Sequence, residues 1–306
     1  CYTLIESWLQ AKITNDIRGR VFSIYRLVDM SGQIMANAVI ATLTPASYVS
    51  YNLIAIIMCL AILPLALTQS KEPELPEKVS YQPLFALRIS PLAGLGVIVA
   101  GLSTATFGSV GPIYAIAVGL DLSQIALFLV VSTIGGMISQ LPAGMLADKV
   151  PRRTVLLIFS VMASVTCLSM MLPVTNSVVG GIALVYVMSF LFGFTTFPIY
   201  SICAAHASDF VDQDRMMTLS ASLIFLYATG AIVSPIMAGW IIGVFGPRLM
   251  FSLIAVAHIA LMAFTVYRNF ARPAAQQQRY AYIPRTSMFI ASILRPRRSN
   301  GNGRSQ

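Results

Sequence analysis

Gly144-Met145-Leu146-Ala147-Asp148-Lys149-Val150-Pro151-Arg152-Arg153 is a charged stretch set between two apolar segments, each long enough to cross a bilayer. Outward from it the chain reads as apolar runs at about 21–43, 48–68, 91–118, 122–143, 154–173, 178–204, 218–243 and 248–268. Each is close to or above the roughly 20 residues that span about 30 Å of hydrocarbon as a helix. The runs are continuous rather than alternating, and in lipid every backbone polar group must find its partner within the segment. Helices are therefore expected, not barrel strands.

Composition agrees. With 57% hydrophobic and 10% charged residues and a mean hydropathy of +0.78, the chain falls outside the soluble globular class, in which about a quarter of residues are charged. The net charge of +9 is concentrated in a tail: from Arg268 to the end there are eight arginines and no acid. A charge so placed points to an anionic lipid surface, where each basic residue contributes roughly 1 kcal/mol, and not to nucleic acid. Cys1, Cys59, Cys167 and Cys203 lie in or beside apolar runs without paired spacing, and read as packing residues.

Orientation follows from the basic residues in the connections. Lys12, Arg18, Arg20, Lys71, Lys78, Arg88, Lys149, Arg152, Arg153, Arg215 and the tail fall on alternate loops, while the loops between them hold Asp121, with Arg248 at the edge of the last. The basic loops and the C-terminus are expected on the cytoplasmic side. Residues 1–10 read as the end of one further span. The opening Cys1-Tyr2-Thr3-Leu4-Ile5-Glu6-Ser7-Trp8 reads as a helix entered midway, so the chain is expected to be the C-terminal part of a longer protein.

The stretch at 144–153 resembles the cytoplasmic signature loop G-x-x-x-D-[RK]-x-G-R-R of the major facilitator superfamily, with Pro151 where that family usually has glycine. Glu6-Ser7 before a loop ending Arg18-Gly19-Arg20, Gln140-Leu141-Pro142-Ala143-Gly144, and Gly193-Phe194-Thr195-Thr196-Phe197-Pro198 are similar to the YcaD-like bacterial permeases within it. The resemblance implies an all-α polytopic fold of two six-helix halves, represented here by the end of transmembrane helix 4 and helices 5 to 12. On that scheme residues 1–68 complete the N-terminal half, 69–90 form a cytoplasmic linker, 91–268 are the C-terminal half and 269–306 a basic tail. A weak echo fits the duplication: with Gly32 set on Gly230, Asp16 meets Asp214 and Ser31 meets Thr229. The run Gly230 to Gly239 around Pro235 resembles a family antiport motif but lies in the opposite half, and reads as a bend.

Three sets of residues are candidates for function. Gly144, Asp148, Lys149, Arg152 and Arg153 form the loop that the resemblance makes a gate, its carboxylate facing the start of helix 5 with Arg18 or Arg20; the alternative is that the basic residues only fix topology. Glu6, Arg26 and Asp29 are ionisable groups within the bilayer depth, and such groups persist where they face a cavity or a partner. One arginine shared by two acids leaves a carboxyl able to carry a proton; the alternative is a structural ion pair. The third set is Ser103, Thr106, Tyr114, Gln140, Thr195 and Tyr200, on the helices that the resemblance places around a central cavity; close packing explains them equally well. The polar, glycine-rich run Gly101 to Pro112 reads as too broken for an ordinary span. His206 and His258 read as packing or interface residues, with proton relay as the alternative. Neither metal-ligand spacing, nor a nucleotide loop, nor a nucleophile triad appears, so no enzyme activity and no cofactor are expected.

These readings converge on a monomeric transporter of a small-molecule solute in a bacterial inner membrane, coupled to protons through Asp29 and Glu6. An uncoupled facilitator and a non-transporting receptor or scaffold on the same fold are the alternatives.

Overall fold

The computed structural model describes residues 18–40, 43, 47–67, 82–172, 178–211 and 215–271. Every one of the eight apolar runs is helical. They are α1 (Arg18–Ile40), α2 (Tyr48–Ala66), α4 (Pro91–Ala117), α5 (Leu122–Lys149), α6 (Arg152–Met171), the pair α7 (Val178–Thr196) and α8 (Pro198–Ser208), α9 (Met216–Phe245) and α10 (Met250–Ala271). A short helix, α3 (Phe85–Ile89), precedes α4. Six of the described helical segments, from Pro91–Ala117 to Pro247–Phe270, are long and apolar enough to cross a membrane. The chain is an all-α, multi-pass membrane protein.

Two local expectations are corrected. The run from Gly101 to Pro112 is not broken: α4 continues through it for 27 residues, because Ser103 and Thr104 return their hydroxyls to the carbonyls of Val99 and Ala100, each at 2.8 Å, as hydroxyl side chains do within helices. The interruption falls instead in the run at 178–204. There Pro198 has no N–H for the carbonyl of Phe194, and α7 hands over to α8 as one span. The turn at Val150–Pro151 also explains the departure from the family loop. Both residues have negative φ, −123° and −51°, so the turn has no need of glycine, and the Pro151 carbonyl accepts the amide of Thr154 at 2.8 Å.

The packing of α4 to α10 repeats itself. The closest pairs are α4 with α9, α5 with α7, and α6 with α10. Exchanging α4, α5, α6 for α7, α9, α10 maps this set onto itself, the arrangement of two three-helix repeats within one transporter half. Glycines make the two crossings possible. A side chain on Gly101 would strike the Tyr227 carbonyl and one on Gly230 that of Ile98; in the equivalent crossing Gly135 lies against the Phe190 carbonyl and Gly193 against that of Ser132. Apolar side chains gain little by meeting each other instead of lipid, so backbone approach at small residues supplies the association. Ser189 adds a hydrogen bond from its hydroxyl to the Phe128 carbonyl at 2.6 Å.

Aromatic rings fill one end of the bundle. Phe107 stacks on Phe128 and Phe192 at 4.9 and 4.2 Å, and Tyr114 meets Phe251 edge-on at 4.9 Å. At the other end, that of Lys149, residues 82–90, the described part of the expected linker, lie against the bundle. Ser222 of α9 accepts the Ala86 amide at 2.9 Å and donates to the Pro83 carbonyl at 2.7 Å, while Arg215 lies over the Phe85 ring at 4.6 Å. Helix α1 packs against α5, and nearly every described side chain of α2 is exposed.

Gly193→Ala is expected to lower stability by about 1–3 kcal/mol, the range for overpacking, whereas Gly239→Ala, whose new methyl meets nothing within 4 Å, should be neutral or slightly stabilising. Thermal unfolding in detergent checks both; equal melting temperatures for the two variants would refute the crossing argument.

Candidate functional site

Two polar groupings stand out once the helices are assembled. The first lies where α5, α8 and α9 meet. Gln140 of α5 accepts a hydrogen bond at 3.2 Å on Oε1 from the hydroxyl of Ser201 in α8. Next to Ser201 on the chain, Tyr200 meets Tyr227 of α9 edge-to-face at 5.6 Å. All four are partly exposed, and the amide nitrogen of Gln140 is covered without a hydrogen-bond partner. A carboxamide and two phenols at one junction offer donors and acceptors without a fixed charge, a set suited to orienting a polar, uncharged group.

The remaining cavity candidates are covered by neighbouring helices. Thr195 returns its hydroxyl to the Leu191 carbonyl at 2.8 Å. Tyr114 is buried among the aromatic rings, and Thr106 is buried with its hydroxyl unpartnered. Ser103 is fully buried against His258 of α10, with Oγ 3.0 Å from Nε2. Since the Ser103 hydroxyl donates to the Val99 carbonyl, the ring donates from Nε2, which leaves Nδ1 as a buried acceptor without a partner. His258 is thus a polar link between α4 and α10. Sequence reading left it as a packing or interface residue without naming Ser103, its partner 155 residues away.

The second grouping is the charged loop. Arg152, at the start of α6, donates from Nη1 to the Ala205 carbonyl and to Oδ1 of Asp209, 2.5 Å away, at the end of α8. Asp209 was absent from the sequence-derived set; its place just past an apolar span, opposite the Arg-Arg pair, is the signal that could have found it. Burial raises the pKa of its carboxyl, against the opposing pull of Arg152. Lys149 is exposed, Arg153 half-buried, and Gly144 faces open space. Only the backbone of Asp148 is described, so its expected contact with the start of α1 lies outside the described side chains.

Of the intramembrane set, Glu6 lies outside the described residues, and Arg26 is described by its backbone alone. Asp29 is half-buried on α1 and makes a polar interaction of its own. The opposite end of the bundle carries Asp121, whose Oδ1 caps α5 by accepting from the Gln124 amide at 2.8 Å and the Ser123 hydroxyl at 2.6 Å. These bonds, that from the Ser123 hydroxyl foremost, hold its pKa below the usual carboxylate value.

This arrangement of apolar spans, repeat-related crossings and a basic loop defines a polytopic helical membrane protein of transporter architecture. The family model of the Major Facilitator Superfamily matches residues 93–297, and the chain belongs to that superfamily. It is similar to an uncharacterized MFS-type transporter of Enterobacter sp. strain 638, 25% identical over 264 residues that cover 85% of this chain and 67% of the relative. It is also similar to the uncharacterized MFS-type transporters YcaD of Escherichia fergusonii and Salmonella arizonae, each 23% identical over 256 residues, 83% of this chain and 65% of the relative. The chain therefore spans about two thirds of the length of these relatives, in the branch that its motifs resemble.

The pH response of Asp209 has a defined sign. A carboxyl whose folded pKa is raised gives stability that is present below the unfolded value, about 3.9, and lost as pH rises through the folded value. Wild-type melting temperature should fall across that window, and Asp209→Asn should remove this part of the fall. An unaltered profile in the variant would exclude Asp209 as its source.

Proposed function

We propose that the whole protein to which this chain belongs carries a small solute across a bacterial inner membrane by alternating access. The observation that supports this most directly is the self-mapping packing of α4 to α10. A half built from two three-helix repeats moves as a unit against its counterpart around a midplane site. The basic end is the cytoplasmic end, because the positively charged connections gather there, and residues 69–90 join the two halves on that side.

Within this reading Gln140, Tyr200 and the neighbouring Ser201 and Tyr227 form the solute-facing part of the C-terminal half. Ser103, Thr106, Tyr114 and Thr195 shape the helices behind them. The loop from Gly144 to Arg153 is a gate element: Arg152, tied to α8, fixes the loop to its own half, while Asp148 and α1 supply the contact that opens. Coupling to protons rests on Asp29, one helical turn from Arg26 on α1, because an acid within the bilayer depth persists where it faces a cavity or a partner.

The test uses the full-length protein in proteoliposomes. A metabolite screen by thermal stabilisation identifies a solute, and counterflow measures its exchange. Gln140→Ala and Tyr200→Phe should each reduce exchange about tenfold, the equivalent of one hydrogen bond at about 1.4 kcal/mol, with melting temperature unchanged. Asp29→Asn should flatten the pH dependence of uptake. Exchange insensitive to Gln140 and Tyr200 would remove the site, and uptake driven equally with and without a pH gradient would identify an uncoupled facilitator.

A further inference from the structure

Three arginines converge at the basic end of the C-terminal half: Arg152 and Arg153 open α6, and Arg268 lies in the last turn of α10, the helix packed along α6. At the same end His206, near the end of α8, is buried and meets Phe210 edge-on at 5.2 Å. The positive charges of Arg153, Arg152 and Arg268 all act on its ring. Asp209 pairs with Arg152. Arg268, in contrast, is half-buried with its Nε covered and without a hydrogen-bond partner, a costly condition for a guanidinium. The rim of the cluster is apolar: Tyr267 is 64% exposed, Phe270 84% and Phe210 49%. Cationic groups at the ends of membrane spans, rimmed by outward-facing aromatic rings, sit at headgroup depth.

We propose that Arg153 and Arg268, at the neighbouring basic ends of α6 and α10, hold the phosphate of an anionic phospholipid, with its acyl chains lying along the apolar faces of these two helices. Guanidinium groups suit this ligand because their planar forks match phosphate oxygens, and basic pockets between helices at a membrane surface take lipid headgroups. The aromatic rim selects a lipid over free phosphate. This site is distinct from the arginine-rich tail beyond residue 273, and stands whether or not the protein transports.

The full-length protein in detergent is titrated with phosphatidylglycerol, with phosphatidylcholine and with inorganic phosphate, reading melting temperature, and retained lipid is counted by native mass spectrometry. Phosphatidylglycerol should raise the melting temperature by several degrees and remain bound, while the other two have little effect. Arg153→Gln with Arg268→Gln should lose most of the shift, and Arg295→Gln with Arg297→Gln and Arg298→Gln in the tail should keep it. Equal effects of the two lipids, a shift reproduced by inorganic phosphate, or a shift lost with the tail arginines alone would overturn the proposal. Should the double variant fail to fold, retention of phosphatidylcholine as strongly as phosphatidylglycerol by the wild type decides against it.

Discussion

The approach of backbone to backbone at Gly101, Gly230, Gly135 and Gly193 is the constraint on which the rest of this bundle depends. In water, two helices would be driven together by their apolar faces; in lipid that drive vanishes, and association must come from dispersion contacts and hydrogen bonds that close approach alone permits. Each crossing lets a carbonyl of one helix occupy the space a side chain would take on the other. The same approach sets where everything else falls. It places the aromatic stack of Phe107, Phe128 and Phe192 at one end and brings Gln140, Ser201, Tyr200 and Tyr227 to one junction near the other.

Polar groups are distributed according to what this packing leaves open. Hydroxyls such as those of Thr104, Thr133 and Thr265 are satisfied by carbonyls one turn back in their own helices, so they add little to recognition. A few bonds cross between elements: Ser189 to α5, Ser222 to the segment before α3, Ser103 to His258. Each of these fixes a helix pair in register, a stronger constraint than burial of one more methyl group in a setting where apolar area has little preference. These buried cross-element bonds belong to the frame, whereas the bond between Ser201 and Gln140, which also crosses between helices, joins partly exposed side chains.

Much of this was legible in the sequence, because membrane spans advertise themselves by length and continuity. All eight runs emerged as helices, and the superfamily followed from the loop at 144–153. What could not be read was anything that depends on which helix meets which. Ser103 read as a cavity residue because its partner His258 lies on another helix. Arg152 read as one basic residue of a gating loop or a topology signal, and its reach to α8 stayed hidden, since two arginines in a turn look alike until Asp209 is placed beside one of them. The break at Pro198 was masked by an unbroken apolar run, and α4 looked interrupted because serine and threonine count as breaks in hydropathy although they complete their own hydrogen bonds. Residues 85–89 looked like linker because five residues are too few to carry a periodic signal.

The division of labour between Arg152 and Arg153 follows from their geometry. Adjacent residues at a helix start project about 100° apart, so Arg152 and Arg153 leave α6 in different directions. Arg152 turns to α8, where the Ala205 carbonyl and Asp209 neutralise it within its own repeat-built half. This contact, made wholly within α4 to α10, fixes the start of α6 to the end of α8. Any gating by the loop must then reside in groups that face the other half. Helix α5, which carries Asp148 near its end, is the element against which α1 packs.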